Sequence, residues 1–188
     1  MGGGLGVRYH NEKVPTPAAF AQAVAPPIRQ AGLALVCEPG RYLVANAGVL
    51  LTKVLYRKHA GGKEFVVVDA GMTDFVRPSH YNAHHEIMPL QDGARPEELV
   101  NIVGPICESG DFLALDRKLP AVEPGEYLAV LGTGAYGFVM SSTYNQRPRP
   151  PEVLVEGDRY YVARQRETLD DLLRGEVLDP TTWYQGGS

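Results

Sequence analysis

The sequence feature that most constrains the fold is a series of short β-rich runs that fills the chain after residue 46. These runs occupy residues 49–56, 65–69, 87–90, 99–106, 127–131, 153–156 and 159–163. Turn signals separate several of them, including residues 59–63 and Gly157-Asp158. Many short strands with such turns are typical of a β-sandwich or barrel. We therefore predict a mainly β fold, with a β domain over residues 46–188 that closes with a Thr168-capped helix and a loose tail.

The first 45 residues have a different pattern. Thr16-Pro17 predicts the start of a helix over residues 18–30, although Pro26-Pro27 should break or kink it. The continuous apolar run at residues 33–36 is typical of a parallel strand that is buried on both faces. This segment is predicted to contribute one helix and one strand.

Composition excludes several classes of protein. With 188 residues and 44% hydrophobic content, the chain suits one domain, or one domain with an attached piece of another. A net charge of −4 offers no basic patch for nucleic acid, and no apolar run is long enough for a membrane span. The N-terminus does not read as a signal peptide, and Cys37 and Cys107 lie in unrelated contexts, so we expect a reducing cytoplasm.

A cysteine directly beside a glutamate is the first candidate for chemistry. Cys107 and Glu108 lie in an apolar run that has glycines at both ends. The neighbouring carboxylate disfavours a thiolate, so Cys107 is expected to act as a proton donor. Glu108 can hold an ammonium group. A buried free cysteine ahead of a turn is the alternative interpretation.

Two glycine-rich stretches and one polar loop suit ligand binding. Gly2-Gly3-Gly4 lets backbone N–H groups approach a phosphate, although a remnant of an expression tag would look the same. Glu38-Pro39-Gly40-Arg41 follows the predicted strand, and Arg41 offers a fork for phosphate or carboxylate. Gly132-Thr133-Gly134-Ala135-Tyr136-Gly137 suits a loop that is pressed against a ligand, or a structural turn with a core tyrosine.

A histidine cluster invites a metal hypothesis. His80, His84, His85 and Glu86 lie close together in the sequence. Pro78 and the strand-like run that follows do not favour the helix that would align the imidazoles. We therefore expect solvated loop histidines and no metal site.

The run Cys107-Glu108-Ser109-Gly110-Asp111 resembles a motif of the meso-diaminopimelate decarboxylase family, pyridoxal-phosphate enzymes of the alanine-racemase-like class. Further stretches resemble the family's other motifs in the same order: Met1-Gly2-Gly3-Gly4-Leu5-Gly6, Glu38-Pro39-Gly40-Arg41, Arg77-Pro78-Ser79-His80-Tyr81 and Gly134-Ala135-Tyr136-Gly137. The resemblance covers nearly the whole chain. It implies that residues 1–45 are the last part of a (β/α)8 barrel and that the C-terminal β domain follows.

The resemblance also implies a role for each motif. The cofactor, pyridoxal 5'-phosphate, would be bound by Gly3, Gly4, Glu38, Gly40, Arg41 and Tyr136. The substrate, meso-2,6-diaminopimelate, would be bound by Arg41, Arg77, Tyr81, Glu108 and Tyr136 and decarboxylated to L-lysine, with Cys107 as proton donor. Family members are homodimers in which the Cys-Glu segment completes the partner's site.

One family feature is absent from the sequence. The lysine that tethers the cofactor lies in a segment before these motifs, and none of Lys13, Lys53, Lys58, Lys63 and Lys118 has that context. We therefore expect the chain to be the carboxyl-terminal part of such an enzyme and inactive alone. The alternatives are a non-catalytic dimerisation module, a split enzyme that needs a separate amino-terminal polypeptide, or a related ornithine or arginine decarboxylase.

Overall fold

The computed structural model describes residues 4–91 and 93–177. They form two compact units that divide between Ser141 and Ser142. Gly3 and the predicted tail lie outside the described residues, and the predicted domain boundary after residue 45 stays a prediction. In the described part of the chain, no helix has the length and apolar character needed to cross a membrane.

The first unit is built on one six-stranded sheet. Its strands are β1 (Val49–Ala60), β2 (Lys63–Val68), β3 (Ile87–Pro89), β4 (Glu97–Val103), β5 (Phe112–Pro120) and β6 (Tyr127–Leu131). The order across the sheet is β3-β6-β1-β2-β4-β5, and only the β2–β4 pair is parallel. The edge strands β3 and β5 come into contact, so the sheet nearly closes into a barrel. The predicted mainly β fold is confirmed.

Short helices complete the two units. They are α1 (Pro17–Gln30), α2 (Gly40–Val44), α3 (Arg77–Tyr81) and α4 (Leu169–Leu173). Three-residue 3-10 turns lie at Ala45–Ala47, Phe138–Met140 and Tyr144–Gln146. The helix α3 was not predicted, because Pro78 was taken to oppose one. A proline in the first turn of a helix removes no intrahelical hydrogen bond, so α3 can contain it.

The turns between strands explain where the predicted boundaries shift. Ala60 pairs with Lys63, and Gly61 and Gly62 have φ values of +58° and +73°, so the first hairpin has a two-residue loop.

The strand β5 was missed because charged residues interrupt its apolar pattern. At Asp116 the backbone takes a φ of +46°, and its N–H donates to Asn101 Oδ1 at 2.8 Å.

The structure corrects the predicted break in the first helix and the predicted strand in the first 45 residues. The helix α1 does not break at Pro26-Pro27 but continues to Gln30, with Thr16 capping its start through the Ala19 N–H. Its end is closed by Gly32 at φ +66°, where the N–H groups of residues 32 and 33 bond back into the last turn. Residues 33–36 form no strand, since no neighbouring strand of the described chain offers them a ladder.

The hydrophobic core lies inside the sheet. Its largest fully buried side chains include Phe75, Ile102, Leu113, Leu119 and Leu128. Each such side chain stabilises the fold by about 1.5–3 kcal/mol relative to leaving it exposed. A second, smaller cluster joins Val7, Ala45 and Ala135, with Tyr9 packed against it.

A close backbone contact joins the segment after α2 to the loop after β6. A Cβ atom on Gly48 would lie 2.3 Å from Gly134 Cα, and one on Gly134 would lie 1.9 Å from Val44 O. The Gly134 N–H donates to Ala45 O at 3.0 Å, and the Thr133 N–H donates to Gly48 O at 2.9 Å. Only glycine allows the two backbones to approach this closely.

The second unit contains a hairpin and a capped helix. β7 (Glu152–Glu156) and β8 (Arg159–Arg164) form the predicted two-stranded sheet around Gly157-Asp158. Thr168 caps α4 in a capping box with Asp171, which confirms the predicted closing helix.

The glycine contact yields a stability prediction. Gly134→Ala should lower the free energy of unfolding by roughly 1–3 kcal/mol, because the added methyl group overlaps the Val44 carbonyl. Urea denaturation measures this, with Gly175→Ala as control, since a Cβ there meets no atom within 4 Å. Equal stability of the two variants would contradict the tight contact.

Candidate active site

The candidate site is a pocket of about 480 Å³ in the first unit. Its lining residues are Tyr9, Glu12, Arg41, Arg77, Tyr81, Ala83, His84, Tyr136 and Met140. The fold therefore brings together four of the predicted site residues, namely Arg41, Arg77, Tyr81 and Tyr136. They come from three separate stretches of the sequence, and their roles stay predictions.

Arg77 is the buried charge of this pocket. It lies at the first position of α3 and is only 8% exposed. Its guanidinium carbon lies 5.2 Å from the ring centroid of Tyr9, 5.6 Å from that of Tyr136 and 5.9 Å from that of Tyr81. Within residues 4–91 and 93–177, no carboxylate forms an ion pair with Arg77. A buried cation held only by aromatic faces and a neutral group favours an anionic ligand.

The neutral group is His85, which is fully buried. Its Nε2 atom accepts a hydrogen bond from Arg77 Nε–H at 3.3 Å, and its Nδ1 atom lies 2.9 Å from Leu131 O. Burial lowers the pKa of His85 to about 4, and the nearby charge of Arg77 acts in the same direction. The prediction of a solvated histidine is wrong at this position, because Tyr9 and Phe75 pack edge-on against the ring.

The glycine contact described above also places Arg41 and Tyr136. Arg41 lies on α2, three residues before Val44, and Tyr136 lies two residues after Gly134. Tyr136 has a φ of +58°, a conformation that costs a non-glycine residue about 1–3 kcal/mol and occurs often at ligand sites. The contact between α2 and the loop thus sets both side chains at one pocket.

The predicted cofactor residues at the N-terminal side are neighbours. A Cβ on Gly4 would lie 3.8 Å from Pro39 Cα and 3.9 Å from Glu38 O, so Gly4 lies beside the polar loop. Glu38, Gly40 and Arg41 are exposed. The Gly40 N–H donates to Glu38 O at 2.9 Å.

Cys107 and Glu108 do not line this pocket. Both are exposed, on the loop that connects β4 to β5. The buried carboxylate of Asp111 shapes that loop by accepting hydrogen bonds from the N–H groups of Ile106 and Met72, both at 2.6 Å. A Cβ on Gly110 would lie 2.9 Å from the Ser79 hydroxyl of α3, so the loop packs beside the helix that carries Arg77 and Tyr81.

The histidine region gathers a different set of groups from the one considered in the sequence. Donor atoms of His10, His84 and Glu86 lie within 4.8 Å of one another. Arg117 opposes a cation there, because its Nη2 atom lies 3.1 Å from His84 Nδ1. Burial, followed by the charge of Arg117, lowers the pKa of His84.

Comparison with known proteins identifies the family. Residues 35–134 match the model of the pyridoxal-dependent decarboxylase C-terminal sheet domain. The chain belongs to the pyridoxal-dependent decarboxylases. This agrees with the nearly closed sheet and with the order of the predicted motifs.

Individual relatives show how much of a complete decarboxylase is present. Diaminopimelate decarboxylase of Aquifex aeolicus is 50% identical over 171 residues, which cover 90% of this chain and 41% of that protein. The crystal structure of M. jannaschii diaminopimelate decarboxylase with L-lysine is 39% identical, with a TM-score of 0.89, over 95% of this chain and 42% of that one. A protein called SrLDC, in complex with PLP and cadaverine, is 25% identical, with a TM-score of 0.68, over 78% of this chain and 39% of that one. The chain thus spans less than half of the length of each.

Sequence reasoning assigned no site role to four residues that shape this pocket or the neighbouring loop. They are Tyr9, Glu12, His85 and Asp111. Glu12 binds the N–H groups of residues 9 and 10, at 3.0 and 2.7 Å, and these bonds, chiefly the one from His10, lower the pKa of its carboxyl group. Only Asp111 carried a signal, as the last residue of the Cys-Glu-Ser-Gly-Asp run.

The buried imidazole predicts a pH dependence of stability. Between pH 6.5 and 4 an unfolded chain protonates His85 while the folded chain does not, so falling pH should remove at most about 3 kcal/mol of stability. Urea denaturation at several pH values in this range should show that the free energy of unfolding changes less with pH in His85→Gln than in the wild type. His59→Gln, at an exposed site, is the control. Parallel curves for the wild type and His85→Gln would contradict the depressed pKa.

Proposed function

We propose that this chain is the carboxyl-terminal part of a decarboxylase that converts meso-2,6-diaminopimelate to L-lysine with pyridoxal 5'-phosphate. The observation that carries the proposal is the buried Arg77, which lines the pocket and has no carboxylate partner in the described chain. Diaminopimelate differs from lysine and ornithine by a second carboxylate, which is the group that this cation suits. The similarity to diaminopimelate decarboxylases over most of the chain supports the same substrate.

The residues around the pocket fit the cofactor. Arg41 and Tyr136 face one pocket, and Gly4 lies beside Glu38. The buried Tyr9 hydroxyl, which has no hydrogen-bond partner in the described part of the chain, is one more group for a polar ligand. When bound, pyridoxal phosphate supplies an electron sink for the pair that is left when carbon dioxide departs.

The residues proposed to bind the cofactor have two tasks. Glu38 holds a proton on the pyridine nitrogen, which keeps the ring electron-poor. Arg41, Tyr136 and the backbone of the glycine-rich stretch and Gly40 bind the phosphate.

Other residues act on the substrate. Arg77 and Tyr81, with Arg41, bind the distal carboxylate of diaminopimelate, and Tyr136 packs beside Arg77. Glu108 binds the distal ammonium group, and Cys107 donates the proton that replaces the lost carboxylate at the substrate Cα. Because Cys107 and Glu108 are exposed and lie outside the pocket of their own chain, they serve the pocket of a second copy in a homodimer.

Combining this chain with an amino-terminal segment tests the proposal. No lysine lines the described pocket, so the chain alone should neither release carbon dioxide nor retain pyridoxal phosphate on a lysine after borohydride reduction. Together with the amino-terminal segment of the Aquifex aeolicus relative, it should release carbon dioxide from meso-diaminopimelate and form L-lysine.

Other outcomes of this assay contradict the proposal in different ways. An associated pair of polypeptides that decarboxylates nothing would favour a non-catalytic dimerisation module. Preference for ornithine or arginine would favour that related class of decarboxylase. Turnover by the chain alone, with one of its own lysines labelled stoichiometrically, would overturn the assignment as a carboxyl-terminal part.

The role of Cys107 is tested in the same combined enzyme. Cys107→Ala should lower kcat about 100-fold or more while KM changes little, because a proton donor acts mainly in the transition state. Cys37→Ala removes the other exposed thiol and is the matched control. A loss of only a few-fold in kcat would make Cys107 structural.

A further inference from the structure

His85 lies at the junction of several elements around Arg77. It directly precedes Glu86 and β3, and its ring packs edge-on against Tyr9 at 4.8 Å and Phe75 at 4.6 Å between centroids. Its own carbonyl accepts a hydrogen bond from Arg117 Nη1 on β5 at 2.7 Å. Backbone and ring are therefore both fixed, and the imidazole cannot turn without disturbing the core.

The two ring nitrogens of His85 have different tasks. Leu131 O is an acceptor, so Nδ1 must carry the proton and donate at 2.9 Å. Arg77 Nε–H is a donor, so Nε2 must be unprotonated and accept at 3.3 Å. The two partners together select one neutral tautomer. A charged imidazole would place two donors against each other.

A neutral acceptor has a consequence that a carboxylate would not have. An Asp or Glu at this place would pair with Arg77 and cancel its charge. The imidazole instead fixes the direction of the guanidinium through Nε and leaves the positive charge available to the pocket. Since Arg77 is only 8% exposed, the orientation of its guanidinium decides whether an incoming carboxylate meets both terminal nitrogens or one.

We propose that His85 is a positioning residue for substrate selection, which holds Arg77 by its Nε–H so that the uncancelled guanidinium receives the second carboxylate of the substrate. This inference rests on the proposed function for its kinetic consequence. The hydrogen bond itself is a property of this chain alone. Two substitutions separate the tasks of the ring: His85→Gln can keep an acceptor at the ε position, and His85→Asn can keep only the donor toward Leu131.

The first experiment uses the 188-residue chain and needs no activity. Nitrogen-15 NMR should show His85 as the Nδ1–H tautomer and a slowly exchanging Arg77 Nε–H. His85→Asn should abolish that protection, and His85→Gln should retain it. His59→Asn, at an exposed strand position, is the control and should leave the Arg77 signal unchanged. Protection that survives in His85→Asn would overturn the positioning role.

The second experiment uses the chain with the amino-terminal segment supplied. His85→Asn should raise KM for meso-diaminopimelate about tenfold with little change in kcat, and His85→Gln should restore most of the loss. An active enzyme with unchanged KM in His85→Asn would overturn the link to substrate selection. If no variant and no wild type decarboxylates any substrate, the proposed function fails, and the NMR comparison decides the hydrogen bond by itself.

Discussion

The pocket depends on the contact between Gly48 and Gly134. This contact joins the segment that carries Arg41 to the loop that carries Tyr136, and backbone hydrogen bonds from residues 133 and 134 hold it in place. Any larger side chain at Gly134 would separate the two backbones. The helix α3 supplies the third part of the pocket, because it places the guanidinium of Arg77 beside the ring of Tyr136. A pocket assembled from three stretches of sequence thus depends on two residues that have no side chain.

The buried positive charge of Arg77 is held in this pocket by the neutral imidazole of His85 rather than by a carboxylate. Burying a guanidinium without a carboxylate is costly unless hydrogen bonds and aromatic faces compensate. Here His85, Tyr9, Tyr81 and Tyr136 surround Arg77 and leave its charge uncancelled. A substrate carboxylate that pairs with Arg77 would offset the cost of burying this charge. The loop with Cys107 and Glu108 is organised separately, by the buried carboxylate of Asp111.

Local patterns predicted much of the fold. Alternating apolar runs and glycine turns located most of the strands, and Thr168 located the last helix. β5 was missed because its charged residues obscure the alternation, and residues 33–36 formed no strand because pairing depends on distant segments. His85 was misjudged for the same reason, since Tyr9 and Phe75 bury it from elsewhere in the chain. The pocket residues were found through motif resemblance, because residue pattern alone cannot place Arg77 beside Tyr136.

The central claim is that Arg77 recognises a second carboxylate. The most direct measurement compares inhibition of meso-diaminopimelate decarboxylation by L-lysine, which keeps the distal carboxylate, and by cadaverine, which lacks it, in the chain combined with its amino-terminal segment. Arg77→Gln should raise the inhibition constant of L-lysine roughly ten- to a hundredfold and leave that of cadaverine nearly unchanged. Arg166→Gln, an exposed arginine of the second unit, should change neither. Equal losses for both inhibitors, or no loss for L-lysine, would contradict the account.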